Sequence, residues 1–327
     1  MNDRKLPGLM QATNDDVMRS IFSSMLLRKT NGVQCAGVQV QHDVVKYTPG
    51  KRCVISYHLT SPETASDGGM VIGKLYRKNR GEKIFQTLQQ LWRTSLGTRF
   101  GMPEPLAYLP ELGMVMQSVV PGKLLVKFSL ADDLPVAMQL VGRNLAALHS
   151  LSVAGGEKKT MADHVKKYCH PGPEALAQDC PELAPVVDEI LKGLLGNKNL
   201  PHAPIGPVHG DLGFTQIFLA ADRAFFIDFD GFCVSHAALD VSNFLAALQA
   251  HFAQRFDELA GIFLEAYLAR LTPEKLSGLH LYHALACLRR AMICWRWQNR
   301  RDWRHEVRRF LETAVRWLTW SRIEEGR

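Results

Sequence analysis

The sequence predicts an α+β fold in two parts, a small antiparallel sheet followed by a larger helical region. Three observations carry this. Apolar and polar residues alternate with period two in several stretches between residues 38 and 119. From about residue 134 the apolar spacing becomes helical. Inside the helical half, one hairpin interrupts. Ile217-Phe218-Leu219 runs into a turn at Asp222-Arg223 and returns through Ala224 to Ile227, with Asp211 ahead of it and Asp228 behind.

The elements follow in order. Asp15 to Lys29 reads as a helix, capped by Asn14 or Asp15, with Val17, Ile21, Phe22, Met25 and Leu26 in one apolar stripe. Val38 to Val45 is the first strand. Thr48-Pro49-Gly50-Lys51 turns the chain, because proline presets φ and glycine accepts positive φ. Cys53 to Leu59 is the second strand, Ser66-Asp67-Gly68-Gly69 the next turn, and Met70 to Tyr76 the third strand. A helix spans about Gly81 to Arg93. Pro103-Glu104-Pro105 breaks the chain before two strands, Leu106 to Leu109 and Met114 to Val119. Helices are then expected from Leu134 to Leu151, Thr160 to Tyr168, Pro173 to Leu195, Ala238 to Ala253, Arg255 to Arg270, Pro273 to Asn299 and Arg301 to Ile323. Residues 196–207, rich in Gly, Pro and Asn, read as a linker into the hairpin. The boundary between the parts falls near Ser118, giving residues 1–118 and 119–327.

The stretch with the most chemistry is Val208-His209-Gly210-Asp211, with Gln216 five residues after Asp211 and Asp228-Phe229-Asp230 closing the hairpin. One acid can hold a hydroxyl proton. The other acid and the amide carbonyl supply the oxygen ligands that Mg²⁺ prefers. Upstream, Lys74 stands among apolar neighbours in Val71-Ile72-Gly73-Lys74-Leu75-Tyr76. Burying an unpaired ammonium is costly, so the position is either functional or an edge site from which the lysine snorkels.

Together these residues resemble the aminoglycoside phosphotransferase and choline kinase-like family, small-molecule kinases with the protein-kinase-like fold. Its motif is H-G-D-x-x-x-x-N followed by a D-x-D-type segment. The likeness runs from about Val38 to Ala250, and it is specific around the hairpin. Two departures stand out: Gln216 replaces the family's Asn, and His236-Ala237 replaces the first Asp-Pro of a D-P-x-x-D-L segment whose second Asp matches Asp240.

The resemblance implies a two-lobed protein. Residues 1–118 form an N-lobe with the sheet and a nucleotide-covering loop; residues 119–327 form a mostly helical C-lobe with the catalytic loop, metal site and acceptor-binding helices. It implies ATP and Mg²⁺ as cofactors. Asp211 would be the general base, with His209 bracing its loop. Gln216 and Asp228 would hold the metal, assisted by Asp230. Lys74 would reach the nucleotide phosphates, paired with Glu82 on the following helix. Gly50 would lie in the loop over the phosphates, and backbone groups of Gln117 and Val119 would meet the adenine. The implied activity is phosphorylation of a hydroxyl on a sugar, amino alcohol or related metabolite. A second reading keeps the nucleotide and gives up turnover: a pseudokinase-type nucleotide-binding or scaffolding protein whose metal site Gln216 has impaired.

Composition bounds the rest. The 327 residues are 46% hydrophobic and 22% charged, as in an ordinary globular chain. Seven scattered cysteines without a C-x-x-C pair point away from a disulfide framework or zinc site and toward a reducing compartment, so a cytoplasmic location is expected. No apolar leader opens the chain and no run is long enough for a membrane span, so no membrane insertion is expected. The net charge is +7, and from Arg289 onward eleven arginines face five acidic residues. The simplest reading is a solvated helix face; the sharper one is a surface for an anionic partner or substrate. This bias disfavours a polycationic aminoglycoside as acceptor. Nucleic acid is not an expected partner, since no motif for it is present.

Overall fold

The computed structural model describes residues 3–29, 38–60, 69–96, 100–196, 204–298 and 301–324. The chain forms two compact units, one of residues 1–96 and 102–121 and one of residues 97–101 and 122–327.

The first unit opens with α1 (Leu9–Ala12) and α2 (Asp15–Lys29), the latter capped by Asn14, whose Oδ1 accepts the Asp16 and Val17 amides. Then come β1 (Gln39–Thr48), β2 (Arg52–Thr60), β3 (Gly69–Tyr76), α3 (Arg80–Ser95), β4 (Pro105–Leu109) and β5 (Met114–Ser118). The five strands form one antiparallel sheet in the order β1-β2-β3-β5-β4. Cys53, Ile55, Tyr57, Val71, Leu75, Met114 and Met116 fill one face and pack with Leu9, Met18 and Phe22. The register pairs Val54 with Lys74, Ile72 with Gln117 and Lys74 with Val115. With a side-chain period of two, those residues all fall on the opposite face. The turn expected at Ser66 to Gly69 lies almost wholly outside the described residues.

The second unit contains β6 (Lys123–Leu124), α4 (Leu134–His149), α5 (Met161–Tyr168), α6 (Pro173–Asp179), α7 (Ala184–Gly196), β7 (Ile205–Val208), β8 (Ile217–Leu219), β9 (Ala224–Phe226), β10 (Cys233–His236), α8 (Ala238–His251), α9 (Phe256–Leu268), α10 (Leu279–Trp297) and α11 (Trp303–Glu324). Two small sheets, β10-β7 and β6-β8-β9, carry the loops of interest. Residues from α5, α6, α7, α10 and α11 build a large apolar core beside them. Phe100 and Gly101 belong here too. The Gly101 amide donates to Asn144 Oδ1 at 2.7 Å, and its carbonyl accepts the Phe226 amide at 2.9 Å.

Two expected helices are shorter than the periodicity suggests. Pro173 to Leu195 is two helices, α6 and α7. Pro181 lacks an N–H, and Cys180 before it leaves the helical region at φ −131°, ψ 75°. Pro273 to Asn299 begins as a 3-10 turn, and α10 starts only at Leu279, after Gly278 takes a left-handed φ of 77°. Strands β6, β7 and β10 were not legible: each has four residues or fewer, and Gly206-Pro207 in β7 reads as loop. Among the described residues no helix is long and apolar enough to cross a membrane, and the six described cysteines are free.

Candidate active site

The loop after β7 is built around one buried carboxylate. β7 pairs with β10, and α8 follows β10 after a single residue, Ala237. Asp240, in the first turn of α8, is fully buried. Its Oδ2 accepts the His209 amide at 2.6 Å and its Oδ1 the Gly210 amide at 2.9 Å. His149 Nε2 donates to the same Oδ2 at 3.2 Å, and His149 Nδ1 accepts from the Tyr267 hydroxyl at 2.7 Å. Burial opposes the charge on Asp240. The His149 hydrogen bond and the Gly210 amide outweigh it and hold the carboxyl below its usual range. A buried charge with three donors is satisfied, and it fixes two successive peptide units.

The other side of the loop is pinned as tightly. The Gly210 carbonyl accepts from Lys167 Nζ and from the Tyr168 hydroxyl, each at 2.6 Å. Burial pushes the Tyr168 hydroxyl well above its ordinary pKa, so it stays a donor. His209 Nε2 donates to the Ile227 carbonyl at 2.9 Å, tying the loop to the end of β9. Gly210 has φ +69°, and a Cβ there would stand 2.3 Å from the Gly231 carbonyl oxygen. Only glycine fits that conformation and that close approach.

Asp211 emerges from this frame with its side chain 39% exposed. Its Oδ1 pairs with Arg289 of α10, whose other Nη donates to Asn243 Oδ1 at 3.0 Å. Among the described residues nothing bonds Oδ2. A fixed carboxylate with one free oxygen can accept a hydroxyl proton.

Gln216 ends a 3-10 turn, Phe214–Gln216, just before β8. Its Oε1 accepts from the Thr215 hydroxyl at 3.0 Å and lies 3.3 Å from where a Cβ on Gly213 would stand. The extra methylene lets the amide fold back over its own turn. Asp228 sits across the base of the hairpin: the Ile227 amide donates to the Gln216 carbonyl at 2.9 Å. Asp228 is left-handed, at φ 69°, ψ 55°, an uncommon state for a residue with a Cβ that costs on the order of 1 kcal/mol. It opens the 3-10 turn Phe229–Gly231, which carries Asp230. Gln216, Asp228 and Asp230 all offer oxygen, the donor type a hard divalent cation takes. Among the described residues no group of three His, Cys, Asp or Glu suited to a metal exists.

In the first unit, Lys74 is buried and lies on β3, flanked by β2 and β5. It is therefore not at an edge. Gln117 is inside the ladder on the same sheet face, whereas Val119 lies past the end of β5 and is exposed. Glu82 is exposed in the first turn of α3 and makes no ion pair among the described residues, so the expected pair with Lys74 is not formed. The helix start, where the dipole favours a carboxylate, explains its place. Gly50 takes the expected positive φ of 65°, but its amide donates to Asp3 Oδ2 at 2.7 Å. A phosphate at that amide would have to displace this carboxylate.

Sequence reasoning missed Lys167, Tyr168, Asn243 and Arg289, all of which surround the loop. It read the C-terminal arginines either as a solvated face or as a surface for an anionic partner or substrate. Arg289 is instead engaged with Asp211. Asn243 follows Asp240 by three residues, one helical step, which is the single local signal that could have found it.

Comparisons with known proteins identify the family and the fold. The family model for the phosphotransferase enzyme family, APH, matches residues 65–279, and the chain belongs to that family. It is therefore a phosphotransferase of the small-molecule kinase class. No curated protein matches the sequence. Among solved structures, choline kinase from Cryptosporidium parvum Iowa II is similar over 94% of this chain and 97% of that one, with TM-score 0.60 and 10% identity. A thermostable mutant of aminoglycoside phosphotransferase APH(4)-Ia gives TM-score 0.60 at 14% identity, over 91% of this chain and 99% of that one. Amicoumacin kinase hAmiN, solved with AMP-PNP, Ca²⁺ and Ami, gives TM-score 0.60 at 15% identity, over 91% and 95%. At such identities the likeness establishes the protein-kinase-like fold.

Proposed function

We propose that this kinase uses ATP and Mg²⁺ to phosphorylate a hydroxyl group of a small molecule. The observation that carries this is Asp211, half exposed and with Oδ2 uncommitted, on a loop whose two preceding amides are pinned to buried Asp240.

Asp211 Oδ2 accepts the acceptor's hydroxyl proton as its oxygen bonds to the γ-phosphorus. The bond from that phosphorus to the ADP oxygen breaks, and ADP leaves. Arg289 on Oδ1 fixes the orientation of the carboxylate and leaves its other oxygen free for the hydroxyl. Gln216, Asp228 and Asp230 are the positions for Mg²⁺, which when bound neutralises phosphate charge. In the first unit Lys74, Gly50, Gln117 and Val119 are the positions proposed for nucleotide recognition.

Calorimetric titration of ATP, with and without Mg²⁺, into wild type and Asp228→Ala tests the reading. Wild type should bind more tightly with Mg²⁺ and the variant should lose that gain. Nucleotide binding that ignores Mg²⁺, with no ADP release on any hydroxylated metabolite, supports the pseudokinase reading instead, toward which the folded-back Gln216 amide points. Failure to bind either ATP or GTP overturns both.

A further inference from the structure

Two cations with hydrogen-bond donors to spare stand at the Asp211 loop, Arg289 on Asp211 itself and Lys167 on the Gly210 carbonyl. Arg289 is fixed three ways: by Asp211, by Asn243 Oδ1 at 3.0 Å, and by the Tyr168 ring, whose centroid lies 4.5 Å from its guanidinium carbon. Tyr168 is itself held by the Gly210 carbonyl and by Asn243 Nδ2 at 3.2 Å. A guanidinium has five N–H donors, and these contacts use two. Its rotamer is already set, so a further partner costs it little entropy.

Lys167 adds a second cation at the same loop. Its ammonium donates once, to the Gly210 carbonyl, and lies 5.2 Å from the Tyr168 ring centroid. Two donors remain. Two cations, Arg289 and Lys167, thus flank one accessible carboxylate. Asp240 is buried and spent on His209, Gly210 and His149, and Asp228 and Asp230 belong to the neighbouring turn, on the side proposed for the metal. A cationic group placed against Arg289 and Lys167 would meet like charge.

We infer that the acceptor carries an oxyanion, a carboxylate or a phosphate monoester, held by Arg289 with Lys167 as a second contact. The inference rests on the phosphotransferase reading of Asp211 and specifies its substrate class. The geometry also limits the molecule. Arg289 bonds Oδ1 while the hydroxyl meets Oδ2, so hydrogen-bond lengths put anion and hydroxyl roughly 5–7 Å apart. The acidic group therefore sits within a few carbons of the hydroxyl, as in a hydroxy acid, a sugar acid or a sugar phosphate.

Binding of simple anions tests this without knowledge of the acceptor. Orthophosphate, acetate and ethanolamine are titrated at constant ionic strength, with chloride as the reference anion, into wild type, Arg289→Gln and Lys74→Ala. Thermal protection and calorimetry are the readouts. Wild type should bind orthophosphate or acetate more tightly than chloride, and the stronger of the two identifies the phosphate or carboxylate source. Arg289→Gln should weaken that anion about tenfold or more, and Lys74→Ala should leave it in place. If Arg289→Gln does not fold, Arg289→Lys, which keeps the charge and loses the fork, should weaken it several-fold. The inference is overturned if no anion exceeds chloride, if ethanolamine protects best, or if Lys74→Ala rather than Arg289→Gln abolishes anion binding. Nucleotide affinity measured on the same proteins reports separately on the kinase reading. With any acidic acceptor found by ADP release, Arg289→Gln should lower kcat, because Arg289 also orients Asp211, and should in addition raise KM for that acceptor about tenfold or more. A residue that merely positions Asp211 would lower kcat and leave KM unchanged.

Discussion

The two units place their key residues by different physics. In the first, Lys74 is set by strand register: β3 lies between β2 and β5, and the period of two fixes which face the lysine occupies. In the second, Asp211 is set by a buried polar network in which Asp240, His149, Tyr267, Lys167 and Tyr168 hold the two residues ahead of it. Register is spread over many backbone pairs and tolerates changes of side chain. A network hung on one carboxylate does not. Loss of that carboxylate leaves buried donors without partners, each a penalty in its own right.

The sharpest way to break this contrast is Asp240→Ala. It strips the acceptor from two amides and from His149, and should cost about 3–5 kcal/mol of stability with loss of activity. Ile72→Val, on the Lys74 face of the sheet, should cost only about 1 kcal/mol. Denaturant unfolding of both variants decides the matter, and equal costs would refute the contrast.

Acidification offers a second probe of the same unit. Burial pushes His164 and His283 down to about 4 from an ordinary 6.5. Both are neutral in the folded state, while the unfolded chain takes up protons below 6.5. Stability is thus fully present above pH 6.5 and falls as pH drops toward 4. Each histidine contributes on the order of 3 kcal/mol across that window. Asp240 acts in the same direction lower down: its carboxyl is depressed, so its contribution is lost as pH falls below the carboxylate range. Unfolding free energies at pH 8, 6 and 5 should show the decline. His283→Leu, which replaces the ring packed 4.6 Å from Trp317, should remove roughly half of the slope. An unchanged slope would show that His283 is not the proton-linked group.

Gly210→Ala tests the loop by backbone strain instead. At φ +69°, with 2.3 Å to the Gly231 oxygen, the added Cβ should cost about 2 kcal/mol. It should also displace Asp211 enough to lower ADP release about 100-fold. A variant as active as wild type would mean that the loop backbone does not set the position of Asp211.

This contrast also explains what the sequence could show. Strand periods are local, so β2, β3, β5 and the hairpin could be read to within a residue or two, and so could the His209-Gly210-Asp211 spacing. The bracing network could not. Tyr267 is 118 residues from His149, and Arg289 is 78 residues from Asp211. No periodic signal spans such distances. Glu82 misled because type and proximity along the chain were its only credentials, and its place in α3 leaves it exposed. Helix ends misled where one residue overrode a long apolar stripe, as Pro181 and Gly278 did.

The smallest expected effect lies where the two kinds of placement meet. Gln216 is held by a backbone contact to Ile227, in the manner of register, but among the described residues its side chain bonds only Thr215. Shortening it in Gln216→Asn should leave stability within about 0.5 kcal/mol, since no buried partner is lost. The shorter amide cannot fold as far back over its turn, so its oxygen stays nearer to the end of the hairpin that carries Asp228. The Mg²⁺ concentration that gives half-maximal ATP binding should then fall a few-fold. A rise instead would mean that the longer side chain is the better ligand here, and that the departure from the family's Asn is an adaptation of this chain rather than a loss.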